Sequence, residues 1–194
     1  MKYTIITLIL IILVIPMFFG IYIEFLLVRE LTLFVILIML FSIFLLFLFG
    51  KFIVIYGYDD ESLDLMSRHD VIDALINKKN QIVLLIFFPL TMVMEELIFR
   101  YYLIGLLYIQ LGLDVILVIF ISSLVFSLYH IHFWFTFKNL RIVLIYITYS
   151  FLLGLLAGYI LLTLGIIPCI FVHYALAFYI YHAIYKRHYK NTNY

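Results

Sequence analysis

Charge is what this chain has least of. Only 12% of its 194 residues are Asp, Glu, Lys or Arg, against about 25% in an ordinary soluble domain, while 68% are hydrophobic and 20% aromatic. That imbalance excludes a water-soluble globule. The formal net charge is +1, so there is no excess of either sign to recruit nucleic acid or an acidic partner. Cysteine is almost absent too. The single one, Cys169, has no partner for an internal disulfide, and its apolar surroundings fit a small buried hydrophobe. Internal repeats and low-complexity tracts are also missing, which sets aside solenoids and biased-sequence segments.

What fills the chain instead is long apolar runs. A helix that crosses the hydrocarbon layer needs roughly 20 mostly apolar residues, and runs of that kind cover residues 4–28, 31–56, 82–109, 113–135, 141–164 and 166–185. They are too long and too uniform for the alternating strands of a membrane barrel. The pattern therefore predicts an all-α, polytopic bundle of about six transmembrane helices, multi-pass in the cell membrane with the lipid bilayer as its surroundings. The first run, which opens MKYTIITLIL, outlasts a signal-peptide core of about 7 to 15 residues and lacks a small-residue cleavage site, so it is expected to be a retained span. The only sizeable polar insert is GYDDESLDLMSRHDVIDALINKKNQ, residues 57–81. It is either an interfacial amphipathic helix built on Leu63, Met66, Val71, Leu75 and Ile76 or a solvated connector.

Lysine and arginine set the orientation. Placing both termini, residues 57–81 and the loop near 138 on one side collects Lys2, Lys51, Arg68, Lys78, Lys79, Lys138, Arg141, Lys186, Arg187 and Lys190, which is 10 of the 12. The positive-inside rule makes that side cytoplasmic, so both termini are expected inside.

Against this background MVMEELIFRYYL, residues 92–103, is costly. A charge in the hydrocarbon region is unfavourable by about 2.5 to 3.5 kcal/mol on insertion scales, so such residues pair, face a cavity or do chemistry. Glu96 and Arg100 are spaced four apart, which places them on one helix face as an ion pair. Glu95 is rotated by about 100° from its neighbour, which leaves it free to address water or a substrate. The competing reading is one packing network of all three. Two histidines inside other runs, His130 with Phe126 one turn before it and His173, favour a converging site over isolated core histidines. His132, His182 and His188 are weaker candidates, being nearer the interface or the C-terminus. His130 also lies nearer the cytoplasmic end of its run than Glu95 and His173 do of theirs, a mismatch that a tilted or broken helix would reconcile.

These residues, in order, resemble the motifs of the CPBP intramembrane proteases, which include the CAAX prenyl endopeptidases and Abi-type bacteriocin-processing or immunity proteins. Glu95, Glu96 and Arg100 match Glu-Glu-x-x-x-Arg; Phe126 and His130 match Phe-x-x-x-His; His173 matches the final His-x-x-x-Asn/Asp, but Ala177 stands where the amide or carboxylate belongs. The similarity covers about residues 82–180. Taken with the apolar runs, it divides an expected single membrane domain, 1–194, into two accessory spans (1–56) outside the similarity, a polar cytoplasmic connector (57–81) and a catalytic-type core (82–185). The resemblance implies intramembrane hydrolysis of a peptide bond in a membrane-associated peptide or lipidated tail, a prenylated cysteine motif or a bacteriocin leader being candidate substrates. Glu95 with His130 would deprotonate a water, Glu96 with Arg100 would fix the face that presents Glu95, and His173 would donate to the oxyanion. Glu95, His130 and His173 could instead hold a catalytic zinc with water in the open position, as in a metalloprotease. Ala177 divides the expectation between an active protease with a weakened or rearranged oxyanion hole, helped by Tyr174 or Tyr129, and a family member that has lost catalysis and acts by binding. A small transporter with an intramembrane proton relay is the reading from another class.

Overall fold

Short polar side chains decide where the long helices begin. Thr32 accepts from the Val35 amide, Asp59 from Ser62, Asp114 from Ile116 and Leu117, and Asn139 from Ile142. Each bond satisfies an amide that the first helical turn leaves without an internal partner. A computed structural model describes residues 2–77 and 80–192; Lys78 and Lys79, two of the orienting cations, lie outside the described residues. The helices are α1 (Lys2–Phe18), α2 (Leu33–Gly57), α3 (Asp60–Ser67), α4 (Asp70–Asn77), α5 (residues 83–110), α6 (Val115–Phe137), α7 (Leu140–Leu164) and α8 (Ile166–Thr192). No strand occurs among the described residues.

By length and composition α2, α6, α7 and the Ile166–Tyr189 part of α8 can cross a membrane. Their outward faces keep large apolar groups exposed, such as Phe34, Ile116 and Phe135 at 70%, 78% and 79%. Lipid is the solvent for such a surface, and the chain is a multi-pass membrane protein.

The first run departs from expectation. Its helix stops at Phe18 because Gly20 takes φ +79. The Gly20 amide then bonds to Met17 O and the Ile21 amide to Pro16 O, a Schellman closure that glycine permits without a Cβ clash. The chain beyond it buries Phe25 completely and sends the Arg29 and Glu30 amides to Thr163 O at the end of α7, both at 2.9 Å. Tyr101 ties the same segment to α5 by donating to Ile21 O at 2.7 Å.

Within the insert, residues 60–67 and 70–77 are helical and packed. Leu63, Met66, Val71, Ile72 and Ala74 of α3 and α4 are buried, with both helices resting on α8. The expected apolar stripe was one step off, since Leu75 is half-buried and Ile76 exposed while Ile72 and Ala74 face inward. The break between α3 and α4 restarts the periodicity.

Small residues bring α6 and α7 close, as membrane helices without a hydrophobic drive to associate require. A Cβ on Gly154 would meet the Ser123 Cβ at 2.8 Å and its backbone Cα at 2.9 Å. Gly154→Leu is therefore expected to destabilise the bundle by about 1–3 kcal/mol through overpacking, seen as a lower midpoint of thermal unfolding in detergent. Phe135→Leu on the lipid face should leave the midpoint in place; equal midpoints for the two variants would contradict this crossing.

Candidate active site

The carboxylates sit where α5 changes its ladder. Phe88–Glu96 is α-helical and Leu97–Tyr102 is a π-helical stretch, so Glu95 and Glu96 close one run and Arg100 lies in the wider turn that follows. Such insertions are frequent at functional sites. Arg100 Nε lies 3.4 Å from Glu96 Oε2 with both side chains wholly buried. The guanidinium rests on the Phe126 ring, its Cζ 3.9 Å from the centroid, so a ring face replaces solvent on one side of the charge.

Glu96 is also shared with α8. A carboxylate only accepts, so His173 Nδ1 donates to Glu96 Oε1 at 2.6 Å and Cys169 Sγ to Glu96 Oε2 at 2.8 Å. Cys169 is thus a polar member of the site rather than only a small hydrophobe. Its position one helical turn before His173 was the available signal, since residues four apart share a face. Glu95 lies on the other flank of the same imidazole, with Oε2 3.8 Å from His173 Nε2. That exceeds direct hydrogen-bond range, and Glu95 Oε2 has no hydrogen-bond partner among the described residues.

His130 arrives from α6 at a break. The α-helical ladder ends at Tyr129 and a 3-10 turn, His130–His132, follows, a break of the kind that the depth of His130 in its run called for. The His130 Nδ1 donates to Phe126 O at 2.9 Å, so in the neutral ring Nε2 carries the lone pair. Phe126 meets both imidazoles edge to face, at 4.9 Å from His130 and 5.6 Å from His173. It therefore contacts Arg100, His130 and His173 together.

Glu95, His130 and His173 line one cavity of about 590 Å³, with Ala177 in its wall. Glu96 and Arg100 are not among the described residues that line it. His132 lies along the cavity wall with its Nδ1 on Tyr129 O at 2.8 Å; His182 and His188 are not lining residues. Tyr129 lines the cavity, whereas Tyr174 packs on Phe88 outside it. Among the described residues no group of three or more His, Cys, Asp or Glu side chains is placed to hold a metal ion.

Sequence reasoning missed His69. It sits between α3 and α4, lines the same cavity, and its Nε2 lies 3.3 Å from the Tyr181 hydroxyl, 112 positions away. No local pattern announces a contact of that range. Ile5, Ile6 and Ile9 of α1 also contribute to the lining, so the wall extends beyond the core helices.

A family model described as type II CAAX prenyl endopeptidase Rce1-like matches residues 78–179, just over half of the chain. No curated protein and no solved structure matches it.

Removing Glu96 would leave Arg100 as an uncompensated buried charge. Glu96→Ala should lower the unfolding free energy in detergent by about 3–5 kcal/mol, whereas Cys169→Ala removes one hydrogen bond to a charged group and should lower it by about 1.5–3 kcal/mol. If Glu96→Ala costs no more than Cys169→Ala, the carboxylate is not the anchor of this cluster.

Proposed function

The chain belongs to the Rce1-like family of type II CAAX prenyl endopeptidases, and from that membership we propose that it hydrolyses a peptide bond in a membrane-associated peptide or lipidated protein tail, within the membrane. The observation that carries the reading is the shared cavity: Glu95, His130 and His173, from three helices, line it while Glu96 and Arg100 lie behind.

Glu95 and His130 act as the base. The His130 Nε2 lone pair, made available because Nδ1 is committed to Phe126 O, and the carboxylate of Glu95 together take the proton of a water as its oxygen attacks the carbonyl carbon. The proton is then delivered to the departing amine. Glu96 orients His173 through Nδ1. When that ring is cationic its Nε2 carries a proton that faces the cavity beside Glu95 and donates to the oxyanion. Apolar lining such as Ile6, Ile9 and Phe88 supports a hydrophobic substrate, with a prenylated tail ahead of a leader peptide. The topology that accompanies this reading has six spans, α1, α2 and α5 to α8, with both termini cytoplasmic, the 1–56 spans accessory to a core at 82–185. A C-terminal reporter should then respond only from the cytoplasmic side.

A binding-only role is the second reading, favoured by Ala177, which offers the cavity no hydrogen-bonding side chain. One assay separates them. Purified protein is incubated in detergent with a peptide bearing a prenylated cysteine near its C-terminus. Glu95→Gln and His130→Asn are each expected to lower kcat by about 10²–10⁴-fold; turnover indifferent to Glu95→Gln removes the peptidase reading.

A further inference from the structure

Positions 173, 177 and 181 recur every four residues along α8 and share one face, and all three residues line the cavity. Ala177 gives that face no donor one turn beyond His173. Tyr181 stands one turn further, and helical side chains lean back toward the N-terminus, which carries its hydroxyl toward Ala177. The Tyr181 hydroxyl is 3.1 Å from the Tyr146 hydroxyl. Tyr146 comes from α7 with its ring stacked over His130, centroids 6.0 Å apart at 18°. The far end of this chain is His69 Nε2, 3.3 Å from Tyr181.

Counting protons along the trio leaves one donor over. The Val71 amide donates to His69 Nδ1 at 3.3 Å, so the neutral ring holds its proton on Nε2. That N–H donates to the Tyr181 oxygen. The link between the two hydroxyls uses one O–H, from either tyrosine, and the other O–H remains to donate outside the trio. Buried tyrosine hydroxyls ordinarily find a partner, and both of these residues line the cavity that holds Glu95 and His130.

We propose that this remaining O–H, held jointly by Tyr146 and Tyr181, is the neutral donor to the scissile carbonyl oxygen, in the place where Ala177 offers none. The inference rests on the peptidase reading above. His173 has its Nδ1 proton committed to Glu96 and donates through Nε2 only when the ring carries a second proton; a hydroxyl donates in either state. No tyrosine bond breaks. Water adds to the carbonyl carbon, its proton passes to the Glu95 and His130 base and on to the leaving amine, and the O–H accompanies the developing negative charge by hydrogen bonding alone.

The test uses the full chain and the prenylated-peptide assay with Tyr146→Phe, Tyr181→Phe, the double variant, and Ala177→Asn added to the double variant. Phenylalanine keeps each ring in its packing, and a thermal midpoint near that of the parent verifies the fold. Either hydroxyl alone still supplies an O–H, so each single change should lower kcat by no more than about 5-fold while the double lowers it by about 10²-fold with KM unchanged. Adding Ala177→Asn to the double should restore kcat by about 10-fold or more, because an amide N–H then reaches the same oxygen. A double variant that keeps its kcat while Glu95→Gln loses it overturns the tyrosine donor alone. Singles that each lose as much as the double overturn the shared arrangement. Absence of Glu95-dependent turnover in the parent chain overturns the peptidase reading and the donor with it.

Discussion

A buried guanidinium fixes the centre of this protein. Arg100 has no exposed surface, and a cation taken out of water in a membrane bundle has to be met by an anion and by polarisable surface at once. Glu96 and the face of Phe126 supply these. Because Glu96 in turn accepts from His173 and Cys169, one carboxylate joins α5 to α8, and through Arg100 and Phe126 it reaches α6. The positions of the remaining cavity groups follow from that junction.

Two adjacent carboxylates consequently live in different surroundings. Glu96 accepts from His173 and Cys169, pairs with Arg100, and is not among the residues that line the cavity. Glu95, one residue earlier, lines the cavity with an oxygen that no side chain occupies among the described residues. His173 stands between them and presents one nitrogen to each, so the imidazole that belongs to the packed cluster also belongs to the cavity. Phe126 plays the corresponding part for the histidines: its backbone carbonyl fixes the His130 tautomer and its ring contacts both imidazoles and Arg100.

The matched core at residues 78–179 does not enclose the cavity alone. The α1 helix contributes Ile5, Ile6 and Ile9, and the connector contributes His69 and Asp70. Tyr3 joins these two parts, donating to Asp70 at 2.9 Å and stacking on Phe87 at 4.1 Å. Segments outside the matched core therefore contribute part of the cavity wall.

Composition and spacing were enough to establish an all-helical membrane chain, because the scarcity of charge leaves lipid as the only solvent and lipid permits no unpaired backbone. The same logic made Glu95, Glu96, Arg100, His130 and His173 conspicuous, since ionisable groups are expensive where everything else is apolar. Spacing by four gave the Glu96 to Arg100 pair and could have given Cys169. What it could not give were contacts between distant turns: the hydrogen bond from His173 to Glu96, the ring of Phe126 beneath Arg100, and His69 reaching Tyr181 across the bundle. Nor could apolar runs tell that the first helix ends at Phe18, where a left-handed Gly20 and two amide bonds outweigh continued hydrophobicity. Local chemistry decided which side chains had to be buried together; the packing of three-dimensional neighbours decided which of them would touch.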